Sequence, residues 1–135
     1  MLGIKKQFIK SMIKLEVVSN TPGKLQIYIA QLKKIEDEYK IYENYAENAI
    51  MLLNGIDNLQ VDYPKGIATI TYDPNVINAQ QIYRWFQMMI DIGIDYYDEI
   101  KDYWEKNPNI DEGVKVDTIW RRMKPILEQA LTKLS

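Results

Sequence analysis

Five carboxylates mark the most reactive stretch of this sequence. Asp91, Asp95, Asp98 and Asp102 recur at spacings of three and four residues, with Glu99 beside them. On one helix these spacings gather side chains near one side. There, carboxylate oxygens can hold a hard cation such as magnesium or calcium, and paired acids can exchange protons with a substrate. The pattern is incomplete for either task. Its spacing fits no calcium loop, and a di-iron site couples glutamates with histidines, which this chain lacks. The residues favour a solvated acidic face or a surface for a basic partner. A hard-cation or small-ligand site and a carboxylate-based enzyme are the alternatives.

The missing residue types narrow the chemistry further. Cysteine is absent as well as histidine. Disulfides, thiolate catalysis, iron–sulfur clusters and cysteine zinc sites are thereby excluded. So is the usual general base near neutral pH. Met12, Met51, Met88, Met89 and Met123 carry thioethers, but their spacing suits core filling. The turn Thr21-Pro22-Gly23-Lys24, with Lys14 nearby, offers amides and charge to an anion. It has one glycine and no Gly-Lys-Ser/Thr ending, so it reads as a rigid hairpin turn rather than a phosphate loop. The expectation is a non-enzymatic chain with no cofactor and no metal ligands.

Ten tyrosines remain. Tyr39, Tyr42 and Tyr45 recur every third residue, and Tyr96, Tyr97, Tyr103 and Trp104 add aromatic bulk to the acidic stretch. Rings with a polar tip suit partly buried contacts, within a chain or between chains. Tyr28, Tyr63 and Tyr72 are scattered and lack neighbouring arginines, so an RNA-binding sheet face is not expected.

These residues need a scaffold, and hydrophobic periodicity supplies one. Residues 12–18 suit a strand, and Asn20 to Gly23 form a turn. Residues 24–30 alternate as a second strand, followed by a helix over 37–54 that ends at Asn54–Gly55. Residues 56–63 and 67–72 form two more strands around Pro64-Lys65-Gly66. A helix over 78–91 follows, with Asn78 and Gln81 forming a capping box. The order β-β-α-β-β-α predicts an α+β, ferredoxin-like antiparallel sheet with both helices on one face. Nothing after Met89 reads as the usual last strand, so the extra N-terminal strand is expected at the vacant edge beside residues 24–30.

Residues 93–135 are predicted as a helical extension to a unit spanning 1–92. One helix ends near Asn107-Pro108. A second stripe, from Val116 through Ile119, Trp120, Met123, Leu127 and Leu131 to Leu134, is interrupted by Pro125, which predicts a kink or two abutting segments.

At this point particular residues resemble a known family. Ser19-Asn20-Thr21-Pro22-Gly23-Lys24-Leu25, Tyr45-Ala46-Glu47, Leu52-Leu53-Asn54-Gly55-Ile56, and Gly66-Ile67-Ala68-Thr69-Ile70-Thr71-Tyr72-Asp73-Pro74 resemble the heavy-metal-associated domain superfamily. The likeness covers residues 12–92 and is closest to the cysteine-poor branch. Metal-carrying members hold soft ions with two cysteines in the loop after the first core strand. The corresponding residues here, Gln31 to Asp37, offer amines, an amide and carboxylates. Such donors do not suit a soft monovalent ion. The resemblance therefore implies the fold without metal delivery.

Charge and hydropathy complete the reading. Residues 1–24 carry five lysines against Glu16, residues 95–112 seven acids against two lysines, and residues 113–135 five bases against two acids. With a net charge of −2 and pI near 5.2, no nucleic-acid footprint is expected. The longest apolar run, Ala49 to Leu53, is too short for a membrane span, and no leader pattern stands at the start, so a cytoplasmic location is expected. The chain reads as a binding or assembly module for another protein or for itself. Trp120, Met123, Leu127, Leu131, Tyr97 and Trp104 are the candidate interface. Association of the tail as a homodimer and its docking within the chain both satisfy the pattern.

Overall fold

The computed structural model describes residues 10, 12–34 and 43–134. Its sheet contains β1 (Glu16–Thr21), β2 (Lys24–Tyr28), β3 (Ile56–Asp62) and β4 (Ile67–Tyr72), all antiparallel in the order β1-β2-β4-β3. The helices are α1 (Glu43–Ile50), α2 (Ala79–Asp95), α3 (Tyr97–Lys106) and α4 (Glu112–Leu131), and a 3₁₀ turn spans Ala30–Lys34. The fold class is α+β. The N-terminal strand occupies the sheet edge beside β2, where the sequence places it.

Alternation in the strands creates the core. Leu25 and Ile27 on β2, with Ala68, Ile70 and Tyr72 on β4, turn inward and are buried. Gln26 and Thr69 face the other way and hydrogen-bond side chain to side chain at 3.1 Å. Helices α1 and α2 complete the buried cluster with Ala49, Ile50, Ile82, Trp85, Phe86 and Met89. Trp85, fully enclosed, donates its Nε1–H to the Ala49 carbonyl at 3.1 Å and so ties the two helices together.

The strand β1 begins and ends later than the predicted 12–18. Its turn contains only Pro22 and Gly23, with Gly23 at φ +84°, so Asn20 and Thr21 join the ladder. A register shift between Val17 and Ser19 absorbs one extra residue as a bulge. Residues 13–15 stay irregular, held by Gln31 Nε2 donating to the Met12 carbonyl (2.7 Å) and the Tyr83 hydroxyl donating to the Leu15 carbonyl (2.9 Å). Strand β2 stops at Tyr28, where Ile29 turns its N–H to Gly66.

The helix expected over 37–54 is seen from Glu43; its start, with Tyr39 and Tyr42, lies outside the described residues. After Ile50 the bonds tighten, Leu52 to Ala49 and Leu53 to Ile50. Gly55 then reverses the chain at φ +103°. A Cβ there would lie 2.9 Å from Ile77 Cγ2 and 3.0 Å from Val76 Cγ1. Gly55→Ala should therefore destabilise by about 2–3 kcal/mol, adding backbone strain to crowding, measurable as a lower urea midpoint.

The capping box at α2 is present: Gln81 N donates to Asn78 Oδ1 at 2.9 Å, and Asn78 N to Gln81 Oε1 at 3.1 Å. Helix α4 runs through Pro125 as one element, so the expectation of two abutting segments does not hold. Pro125 is exposed. The proposed boundary at residue 92 falls inside α2. Ile119, Met123, Leu127 and Leu134 join the same core cluster as the sheet residues. Among the described residues no helix is long and apolar enough to cross a membrane.

Candidate functional site

The acidic stretch does not assemble into a site. Tyr96 (φ −101°, ψ 4°) separates α2 from α3, so Asp91 and Asp95 belong to one helix and Asp98 and Asp102 to another. Their sequence spacing therefore no longer defines one side. Several of the carboxylates pair outward instead: Asp95 with Lys10 (2.8 Å), Asp102 with Lys106 (3.0 Å), and Glu99 with Arg122 through Nε and Nη2 (3.0 and 3.2 Å). Among the described residues no three acids gather as a metal site. Exposed pairs of this kind contribute little to stability.

The predicted interface residues pack largely inside the chain. Met123 and Leu127 are fully buried, in a helix whose main neighbours are α1 and α2. Trp120 stands edge-on to Tyr45, with ring centroids 6.3 Å apart. Leu131, Tyr97 and Trp104 are half-buried. The apolar stripe thus already has a covering surface in its own chain.

Polar groups in these contacts are unevenly satisfied. The buried Lys115 places its ammonium 4.2 Å from the Trp104 ring centroid and donates to the Trp104 carbonyl at 3.3 Å. The Tyr45 hydroxyl oxygen is enclosed with no hydrogen-bond partner among the described residues. Burial holds its pKa above the ordinary tyrosine range.

Tyr63 donates its hydroxyl to Glu43 Oε2 at 3.1 Å. Burial, then the Glu43 charge and that hydrogen bond, push its pKa up to about 12. Unfolded tyrosines lose their protons near pH 10, while the folded chain keeps these two. Stability should therefore fall as pH rises through about 10 to 12. Tyr63→Phe should flatten that slope in urea titrations at alkaline pH.

The family-like loop is a 3₁₀ turn as far as Lys34, with the Lys33 ammonium 5.0 Å from the Tyr28 ring centroid; residues 35–37 lie outside the described residues. Thr21 to Lys24 form the expected hairpin turn.

A different surface combines exposed apolar groups with an open backbone. Strand β1 has no strand on its outer side among the described residues. Val17 and Val18 at its bulge are 47% and 50% exposed, and Met12 just before it 54%. Ahead of the start of β1 lies a depression of about 360 Å³ between Ile13 and Leu15 on one side and Arg84, Gln87 and Met88 of α2 on the other. Met88 and Asp91 also border a second depression, of about 410 Å³, against Ile126 and Ala130 of α4. Sequence reasoning missed this surface because it read the residues before the turn as one plain strand. The paired valines, Val17-Val18, were the available signal: an alternating edge strand would direct only one of them to the core.

Comparison with protein-family models, curated proteins and solved structures gives no match for this chain.

Proposed function

We propose that this chain is a non-catalytic protein-interaction module of ferredoxin-like architecture that receives an extended peptide along β1. The supporting observation is the β1 edge, which has no strand on its outer side among the described residues, with Val17 and Val18 open to solvent and a depression ahead of its start. Backbone groups of an edge strand can extend the sheet into a partner strand, while side chains entering the adjacent groove set specificity. Residues 17–21 carry no lysine, proline or acid of the kind that blunts a sheet edge. The bulge and the Tyr83 bond to Leu15 limit pairing at the start of the strand, so the receptive part centres on residues 17–20.

The ferredoxin-like assignment rests on the order β1-β2-β4-β3, in which the N-terminal strand stands where a fourth core strand would close the sheet. The relation to heavy-metal-associated domains is part of the same reading, with the metal function set aside. Gln31, Lys33 and Lys34 offer no soft ligand in the loop.

Selection from a randomised peptide library tests the proposal. Recovered peptides should share alternating apolar positions. Val17→Lys with Val18→Lys should weaken their binding by about tenfold or more through the charges placed on the edge, without lowering thermal stability. Peptides indifferent to that pair of changes, or no binders at all, would contradict the reading.

A further inference from the structure

The turn that leads into β3 carries a chemically reactive pair of residues at its centre. Asn54 is the only one of the nine asparagines in the sequence that is followed by glycine. Ile56 N donates to the Leu53 carbonyl at 3.3 Å and closes a β-turn around the pair. Gly55 fills the third position of that turn at φ +103°, a conformation for which glycine is the usual residue. Asn54, in the second position, is exposed, so water reaches its side-chain amide. The glycine that permits the turn also leaves its own backbone nitrogen unshielded, because no side chain stands beside it.

The far side of the turn is held closely. The Gly55 carbonyl accepts from Asp73 N at 2.8 Å, just beyond the end of β4. Gly55 also lies so near Val76 and Ile77 that a Cβ would clash with both.

We infer that Asn54–Gly55 is a self-modification site, at which the chain deamidates with water as the only co-reactant. The Gly55 nitrogen gives up its proton and forms a bond to Asn54 Cγ. The bond from Cγ to the side-chain nitrogen breaks, and that nitrogen leaves as ammonia. Water then opens the resulting succinimide. Cleavage between the Gly55 nitrogen and Cγ gives aspartate at position 54 and restores the original main chain. Cleavage between that nitrogen and the backbone carbonyl carbon of residue 54 gives isoaspartate, whose main chain runs through the former side chain and is one carbon longer. The longer chain does not fit the turn. It adds an atom to the ring that the Ile56–Leu53 bond closes, while Asp73, Val76 and Ile77 fix Gly55 on the other side. Isoaspartate therefore opens these backbone bonds and loosens the entry to β3, an edge strand of the sheet. Aspartate adds a charge at an exposed position and leaves both bonds in place. The site is independent of the β1 edge and of whether that edge binds peptides.

Incubation of the full chain for weeks in mildly alkaline buffer, followed by peptide mapping by mass spectrometry, tests the site. The peptide containing residues 54 and 55 should gain the small mass that separates an acid from an amide. It should also split into two chromatographic species, while the other asparagines stay intact. Asn54→Gln should remain unmodified, because its longer side chain closes a ring on the next nitrogen far more slowly. In the separated isoaspartyl form, the amides of Ile56 and Asp73 should exchange about tenfold faster or more, whereas Asn54→Asp should keep their protection. An intact Asn54, modification of other asparagines ahead of it, or unchanged exchange at Ile56 and Asp73 in the isoaspartyl form would each overturn the inference.

Discussion

Trp85→Ala should lower stability by about 3–5 kcal/mol, the range for emptying a fully buried aromatic site. Trp85 is completely enclosed between sheet and helices, among Ile50, Ile70, Ile82 and their neighbours. Its removal leaves a void that side chains on a closed sheet face can only partly fill, and it also leaves the Ala49 carbonyl without its indole donor. Small domains have net stabilities of about 5–15 kcal/mol, so the variant should sit close to its unfolding transition at physiological temperature. Trp85→Phe separates the two contributions. It keeps most of the apolar volume and loses the hydrogen bond, with an expected cost nearer 1–2 kcal/mol, a rough figure that combines a lost bond with a smaller cavity. Urea denaturation of both variants supplies the comparison.

The second large effect concerns α4. Changing Trp120 and Leu127 together to aspartate should cost about 4 kcal/mol or more, from lost burial of Leu127 and the placing of a charge where Leu127 is fully enclosed. The stripe packs on α1 and α2 of its own chain, so the fall in melting temperature should not depend on protein concentration. A deficit that changes with concentration would instead place the stripe at a contact between two copies. Loss of the Tyr45–Trp120 ring contact should accompany the effect as a change in near-ultraviolet circular dichroism.

Much of the frame is legible in the sequence because local chemistry and global packing agree there. Asn78 and Gln81 announce the start of α2 and form the reciprocal bonds expected of them. Asn54–Gly55 marks a reversal, and Gly55 adopts the positive φ that makes glycine necessary. Alternation in Leu25 to Ile29 and Ile67 to Tyr72 gives the buried face of the central strands directly. Asp73 ends β4 as its composition suggests, with its Oδ1 accepting from Asn75 N at 2.9 Å.

Where the reading departs from the structure, tertiary contacts supply what local pattern does not. The register of β1 follows from its pairing with β2 across a two-residue turn, and the bulge that shifts it leaves no glycine or proline as a sign. The break at Tyr96 likewise lacks either residue. Periodicity alone carries the acidic stretch across it as one helix, which is why four aspartates looked like a single face. The same side chains of the apolar tail stripe can serve a contact within the chain or between chains, so sequence alone does not place the stripe on α1 and α2, where it packs. Lys115 shows the opposite limit: a lysine in a stretch rich in charge is buried because an indole ring and a carbonyl meet its ammonium.

Nuclear magnetic resonance of the labelled chain bound to a library-selected peptide decides whether β1 is a pairing-competent edge. New backbone contacts between the peptide and residues 17–20 are expected, with slower amide exchange along β1 and smaller shifts at Ile13, Leu15 and Met88, which line the depression. Shifts confined to the opposite sheet face around Gln26 and Thr69, with the β1 amides exchanging as in the free protein, would contradict it.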